Sequence, residues 1–237
     1  MVTIGIIDSG PAGRDGADGK GRIDAPVGAA LRFDAEGAPR PARPDRLGHG
    51  TAVAAVLARA LPRARLIHAQ VFDDRPVTSA LRVAAALDWL RGRGDVDLVC
   101  LSLGLAQDRA VLAQAVDAAH ASGLVLVAAH PARGPSPYPA AYAGVIAATG
   151  DARCGWTDLS LLRPGLFGAW CNSPEQGRGG AEGRAGMGGM GGASLGTARL
   201  AGHIGALLQA GHPRDPAALC QSLAARVQAE GPERRRA

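Results

Sequence analysis

Short apolar runs rich in β-branched residues alternate along this chain with longer helix-like segments. The strand-like runs are residues 2–7, 65–72, 96–101, 124–129 and 144–149, and the helix-like segments are residues 48–57, 78–90, 109–121 and 194–210. Strands that are apolar throughout are typical of a sheet covered on both faces. The alternation predicts an α/β fold in which a mostly parallel sheet has helices on both faces.

The chain has 237 residues, 47% of them hydrophobic, and no linker divides it, so it can bury a sizeable core. We therefore expect a single domain over residues 1–237. Two segments are predicted to stand apart from its core: a flexible glycine-rich loop at residues 177–192 and a disordered basic tail at residues 230–237. Residues 11–47 are predicted to be loop, interrupted by a short apolar run at 27–33.

The formal net charge of +5 comes mostly from arginines scattered through loops and the tail. No basic helix face and no interleaved aromatic residues accompany them, which argues against a nucleic-acid partner. No stretch approaches the ~20 apolar residues of a membrane span, and the N-terminus does not resemble a signal peptide. We therefore expect a cytoplasmic protein with no membrane partner.

No metal-binding or cofactor-binding pattern is recognisable. The four cysteines are widely spaced and form no C-x-x-C pair: Cys100, Cys154, Cys171 and Cys220. Such spacing is typical of a reduced protein without a zinc site. Asp15, Asp18 and Asp24 miss the spacing of an EF-hand loop, and residues 8–13 (DSGPAG) lack the G-x-G-x-x-G of a dinucleotide site. We expect no metal and no cofactor.

Two polar residues lie where predicted strands and helices end or begin. Asp8 follows the first strand, where it either caps a turn or serves an active site at the carboxyl edge of the sheet. His49 lies between two glycines at the start of a predicted helix. Its ring is therefore either structural or openly accessible, and the residue types alone leave both alternatives open.

Ser194 ends the glycine-rich stretch and begins a long helix-like segment. It fits a helix N-cap, and it fits a nucleophile beside the free N–H groups of a helix N-terminus. The run also matches G-x-S-x-G, the nucleophile elbow of α/β-hydrolases, whose order is serine, acid, histidine. Here His203 and His212 both precede Asp215, the sole later aspartate, so the elbow is rejected.

Asp8, His49 and Ser194 follow the order aspartate, histidine, serine, which is the order of the subtilisins. Five segments resemble the subtilisin-like serine proteases (subtilases): residues 6–10 (IIDSG), 49–54 (HGTAVA), 101–104 (LSLG), 136–147 (SPYPAAYAGVIA) and 192–202 (GASLGTARLAG). The resemblance extends over nearly the whole chain. It implies a three-layer subtilisin-like fold and hydrolysis of peptide bonds.

The resemblance also implies roles for individual residues. Ser194 is the expected nucleophile, His49 the general base and Asp8 the partner of the imidazole. The implied substrate-binding residues are Leu101, Ser102, Leu103, Gly104, Tyr138 and Pro139. An extended peptide or protein substrate is expected to pair with residues 101–104 through main-chain hydrogen bonds.

The oxyanion site departs from the family's pattern. Subtilases usually carry an asparagine there, and ungapped alignment puts Ala132 in its place. His130 is the expected replacement donor, ahead of Arg133 and Asn172, and the backbone N–H of Ser194 is the other donor. A structural role as a loop histidine beside a proline fits His130 equally well.

Met1 stands almost against the first strand, so we expect no propeptide. This resembles small propeptide-free subtilases, such as the type associated with quinohemoprotein amine dehydrogenase biogenesis. We expect a serine endopeptidase that makes limited cuts, such as leader-peptide removal during maturation. The alternative is a catalytically weak pseudoprotease that acts as a peptide-binding adaptor. The glycine-rich loop is predicted either to become ordered on substrate or to be a plain connection.

Overall fold

The computed structural model describes residues 1–12, 27–171 and 192–232. The strands there are β1 (Thr3–Asp8), β2 (Val27–Phe33), β3 (Pro39–Pro41), β4 (Arg65–Gln70), β5 (Leu98–Leu101), β6 (Val125–Ala129), β7 (Val145–Gly150), β8 (Leu159–Arg163), β9 (Leu166–Ala169) and β10 (Ala229–Glu230). The helices are α1 (His49–Ala60), α2 (Ala80–Gly92), α3 (Ala110–Ala121), α4 (Ala193–Gln209) and α5 (Pro216–Ala224).

These strands form one sheet in the order β10-β8-β9-β7-β6-β5-β1-β4-β2-β3. Neighbouring strands from β9 to β2 are all parallel. The pairs β2–β3 and β8–β9 are antiparallel, and β10 adds a short parallel strand at the edge. The predicted α/β fold is therefore confirmed.

The predicted strands and helices are all present, with ends that differ by a few residues. The apolar run at residues 27–33 is strand β2, and β3 also lies inside the segment predicted to be loop. Strands β8, β9 and β10 and helix α5 were not predicted. Glu230, the first residue of the predicted basic tail, belongs to β10. Residues 233–237, and residues 177–191 of the predicted loop, lie outside the described residues.

The core has two layers, one on each face of the sheet, because side chains of a strand alternate between its faces. In β1, Ile4 and Ile6 pack into the layer that contains α1, α4 and α5. Ile7 packs into the layer that contains α2 and α3. A central strand with apolar side chains on both faces is what the uniformly apolar run predicts.

The topology places a crevice at the carboxyl end of β1. This strand lies between β4 and β5, and the connections into β4 and out of it run over opposite faces through α1 and α2. Ligand sites of open α/β sheets lie at such a switch point, beyond the carboxyl ends of the strands. Asp8 ends β1, and Ser102 follows β5.

Helix α4 packs against the backbone of the sheet with little space between them. A Cβ atom on Gly196 would lie only 2.2 Å from the Thr149 carbonyl oxygen. Almost every residue of α4 from Leu195 to Leu207 is buried.

In the part of the chain that the structure describes, no helix combines the length and apolar character needed to cross a membrane.

Replacing Gly196 by alanine tests this packing. We expect Gly196→Ala to lower the free energy of unfolding by about 1–3 kcal/mol or more, because α4 must move away from β7. Gly92→Ala is the matched control, since a Cβ on that α2 residue meets no atom within 4 Å. Urea denaturation measures both variants, and equal stability of the two would contradict the close packing.

Candidate active site

A buried carboxylate and a histidine ring meet at the end of β1. Asp8 is fully buried, and Nδ1 of His49 lies 2.7 Å from its Oδ1 and 2.9 Å from its Oδ2. The Ser9 backbone N–H also donates to Oδ1, at 2.7 Å, and the Ser9 hydroxyl donates to it at 3.2 Å. Because Nδ1 faces a carboxylate, it carries the proton, and Nε2 of the neutral ring is left as the acceptor.

Helix α1 reaches Asp8 through the close approach of a glycine. A Cβ on Gly50 would lie 2.5 Å from the Gly10 carbonyl oxygen, so a side chain there would push the helix away from the turn after β1. The Gly50 N–H donates to Oγ of Ser9 at 2.8 Å. Ser9 therefore links the carboxylate of Asp8 to the first turn of the helix that carries His49.

The environment of His49 favours its protonated form. Burial disfavours the charged ring, but the negative charge of Asp8, its hydrogen bond and the charge of Asp45 together raise the pKa of His49 above its usual 6.5. A histidine acts as a base only when neutral. Any reaction that uses His49 as base is therefore lost as the pH falls through this raised pKa.

Ser194 lies in the first turn of α4, and Gly192 occupies the N-cap position without a side-chain cap. The structure thus corrects the interpretation of Ser194 as the N-cap. Its hydroxyl donates to the Ser102 carbonyl at 3.2 Å, and the Ser102 hydroxyl donates to the Ser194 carbonyl at 3.3 Å. In the described residues no hydrogen bond joins Ser194 to His49, but both residues line one cleft.

That cleft has a volume of about 880 Å³ and lies along the segment that follows β5. Of the predicted substrate-binding residues, Ser102, Leu103 and Gly104 line it. Leu101 is fully buried at the end of β5. Other lining residues are mostly apolar: Leu47, Phe72, Pro76, Val77, Leu105, Pro131 and Pro137.

Tyr138 and Pro139 are not among the residues that line the cleft. Tyr138 forms an isolated antiparallel bridge with Leu105, in which the two backbone hydrogen bonds measure 2.7 Å and 2.8 Å. Pro137, beside them, does line the cleft and lies 2.9 Å from where a Cβ on Gly104 would be. Tyr138 therefore pairs with Leu105, a residue of the cleft wall, without lining the cleft itself.

The structure does not bring His130 to Ser194. His130 is buried, and it is not among the residues that line the cleft. Arg163 Nη2 donates to its Nε2 at 2.8 Å, so Nδ1 carries the ring proton and donates to the Pro131 carbonyl. Ser136 Oγ is also 2.9 Å from Nε2. The predicted oxyanion role would require the ring to leave these partners.

Of the other two candidates for that role, Arg133 is exposed, and Asn172 lies outside the described residues. Ala132, which aligns with the family's asparagine, is exposed as well. The described part of the chain also has no group of three or more histidine, cysteine or acidic residues able to hold a metal ion. Asp15, Asp18 and Asp24 are outside it.

A protein-family model matches the sequence over almost the whole chain. The model of the subtilase family, Peptidase S8, covers residues 1–226. The chain belongs to the subtilase family. The subtilases are a family of serine proteases, so this match supports a serine protease hydrolase. No curated protein matches it by sequence.

Solved structures share the subtilase fold at low sequence identity. A cold-adapted subtilisin-like serine proteinase is 19% identical, with a TM-score of 0.66 over 96% of this chain and 84% of its own. The S41 psychrophilic protease is 18% identical, with a TM-score of 0.64 over 97% and 85%. A lanthipeptide protease is 14% identical, with a TM-score of 0.64 over 93% and 78%. These likenesses support the fold alone.

One wall of the cleft, formed by the segment that follows β4, could not be predicted from the sequence of this subtilase. Phe72, Pro76, Val77 and Thr78 line the cleft together with the segment after β5. Val77 is one of the few large apolar side chains that are exposed in the described residues, at 70%. The signal available in the sequence was an apolar side chain within a polar, proline-containing loop, and such a loop alone does not say which site it borders.

The Asp8 carboxylate should control the titration of His49. We expect Asp8→Asn to lower the pKa of His49, because it removes the charge and hydrogen bond that offset burial. Nuclear magnetic resonance of the histidine ring protons measures this, with His49→Gln to assign the signal. Asp88→Asn, on the exposed face of α2, is the control and should leave the titration unchanged. An unchanged pKa in Asp8→Asn would contradict the pairing.

Proposed function

We propose that this subtilase is a serine endopeptidase in which Asp8, His49 and Ser194 act as a catalytic triad. The observation that carries the proposal is the double contact of His49 Nδ1 with the buried Asp8 carboxylate, in a cleft that Ser194 also lines. Ser194 Oγ attacks the scissile carbonyl, while Nε2 of His49 takes the hydroxyl proton and later returns it to the leaving amine. Asp8 holds the ring and stabilises its charged form.

The Ser194 hydroxyl has to turn from the Ser102 carbonyl toward His49 before it reacts. Catalytic hydrogen bonds are often long or absent without substrate and form in the bound complex. An extended substrate paired with residues 102–104 would bring backbone N–H groups to this segment, where Ser102 offers its carbonyl. Such a substrate would compete with Ser194 for that acceptor.

The start of α4 supplies the oxyanion donor in this proposal. The Ser194 N–H lies in the first helical turn, where N–H groups lack intrahelical partners and the helix dipole favours negative charge. Loss of one oxyanion donor reduces turnover by about 10²–10³ in subtilisin, whose asparagine aligns with Ala132 here. We therefore expect slower turnover than in a subtilase that retains both donors.

We further propose limited cleavage of a specific peptide, such as removal of a leader peptide. Weak turnover suits a protease with one substrate better than one that degrades many proteins. The apolar walls, from Phe72 and Val77 to Leu103 and Leu105, would select apolar side chains on an extended peptide. One structure with this fold is a lanthipeptide protease, which is in keeping with a maturation role.

A peptide-binding pseudoprotease is the second candidate. It is favoured by the missing asparagine and by the Ser194 hydroxyl, which is bound to Ser102 rather than to His49. In that case the same cleft would hold a peptide without cutting it.

Labelling with a fluorophosphonate probe separates the two candidates. We expect the protein to be labelled at Ser194, because such probes react with a serine only when a base and an oxyanion site activate it. Intact-protein mass spectrometry measures the rate. Ser194→Ala should abolish labelling, whereas Ser122→Ala, which changes a hydroxyl at the end of α3, should not.

No labelling of the wild-type protein, with or without a peptide in the cleft, would favour the pseudoprotease. His130→Ala in the same assay decides the oxyanion role. A wild-type rate leaves the Ser194 N–H as the donor, and a rate reduced by about 10² or more would restore His130 to that role.

A further inference from the structure

Helix α1, which begins at His49, lacks an N-cap of its own. Gly48 occupies the cap position in a left-handed conformation (φ 73°) and has no side chain to accept a hydrogen bond. No acidic residue lies in the first turn of the helix either. The free N–H groups of that turn must therefore find acceptors outside the helix.

Asp45 supplies that acceptor from the preceding loop. Its Oδ1 accepts from the N–H groups of Leu47 at 3.0 Å and Gly48 at 2.8 Å. Its Oδ2 accepts from the N–H and from the hydroxyl of Thr51, both at 2.8 Å. One carboxylate thus holds the residue before His49 and the residue two positions after it.

The backbone of Asp45 ties the same loop to the turn after β1. Its N–H donates to the Pro11 carbonyl at 2.9 Å. Gln70 reinforces the link, because its amide donates to the Ser9 carbonyl at 2.8 Å and accepts from the Arg43 N–H at 2.9 Å. Asp45 therefore connects the segment that carries Asp8 with the segment that carries His49.

The charges around His49 also support a role for Asp45. Asp8 on β1 and Asp45 are the two carboxylates whose charge raises the pKa of His49. Two buried groups on the neighbouring strands are neutral at pH 7. Burial lowers the pKa of His68 on β4 to about 4 and raises that of Cys100 on β5 to about 12.

We propose that Asp45 is a positioning residue, which fixes the start of α1 so that the His49 ring meets Asp8 and which contributes negative charge to the ring's surroundings. This inference rests on the proposed function, since it assigns Asp45 a part in the same reaction. Asp45 does not touch the reacting atoms, and it acts through His49.

Asp45→Asn tests the proposal because it keeps the shape of the side chain but removes its charge and part of its acceptor capacity. We expect the pKa of His49 to fall, so that the acidic limb of the pH–rate profile moves to lower pH. At a pH above this limb, kcat should fall by about 10- to 100-fold with little change in KM, because a misplaced catalytic group costs this much. Probe labelling by fluorophosphonate should slow in parallel.

Two further variants make the test decisive. Asp34→Asn removes another loop carboxylate, which accepts from Ala38 in the turn between β2 and β3 and from Arg40 on β3, and it should match the wild type. Asp45→Glu keeps the charge but displaces the carboxylate. It should retain most of the pKa shift and lose part of kcat, even if Asp45→Asn proves too unstable to study.

The histidine titration requires no substrate, so this proposal and the proposed function can fail separately. A wild-type protein that cleaves and labels nothing would defeat the proposed function, while a lowered His49 pKa in folded Asp45→Asn would still support the positioning of the ring. The proposal is overturned if folded Asp45→Asn keeps both the wild-type titration and the wild-type labelling rate. It is also overturned if Asp45→Glu has the wild-type kcat and Asp34→Asn has a reduced kcat, because the effect would then not depend on the position of the Asp45 carboxylate.

Discussion

The site depends on one buried carboxylate. Asp8 has no exposure to solvent, and an ionised carboxylate without partners would cost several kcal/mol there. Ser9 and His49 compensate for that burial through three donor groups: the Ser9 N–H, the Ser9 hydroxyl and the His49 Nδ1–H. The carboxylate can keep these partners only if the turn after β1 and the first turn of α1 stay together. Gly50, whose missing Cβ allows that approach, is therefore as necessary to the pairing as the charged groups are.

A similar close approach, between helix α4 and strand β7, fixes the position of Ser194. Helix α4 crosses the centre of the sheet, and Gly196 lets its backbone approach that of β7 within a distance that no side chain allows. The first turn of α4, with Ser194, then lies against Ser102 at the end of β5. The chain has few aromatic residues to fill space between layers, so small residues bring the helices close to the sheet instead. The catalytic proposal follows from this packing: two helices, each docked through a glycine, aim their N-termini at one crevice.

The sequence was sufficient for the fold class because uniformly apolar strands and intervening helices have different lengths and periods. Asp8, His49 and Ser194 could be predicted as site residues because each lies where an element begins or ends and because their order matches a family. Helix α5 was missed although Asp215 and Pro216 form an N-cap and first-turn pair in the sequence. The partners of His130 could not be predicted, since Arg163 comes from β8, a strand that carries no strong pattern. The cleft wall after β4 was missed because it depends on contacts between segments far apart in the chain. The role proposed for Asp45 was missed although Leu47, Gly48 and Thr51 lie close to it in the sequence, because the residue types alone do not assign partners to a loop aspartate.

The most direct test of the account is whether His49 and Ser194 act on one substrate group. A peptide chloromethyl ketone with apolar side chains adds to an active serine and alkylates the adjacent histidine, which joins both residues to one inhibitor. Peptide mapping by mass spectrometry should find a single equivalent bound to His49, because the alkylated ring survives digestion whereas the serine hemiketal does not, and Ser194→Ala and Asp8→Ala should each abolish this adduct. Alkylation of exposed histidines or cysteines instead of His49, or alkylation of His49 at the wild-type rate in Ser194→Ala, would contradict the claim that Asp8, His49 and Ser194 form one catalytic unit.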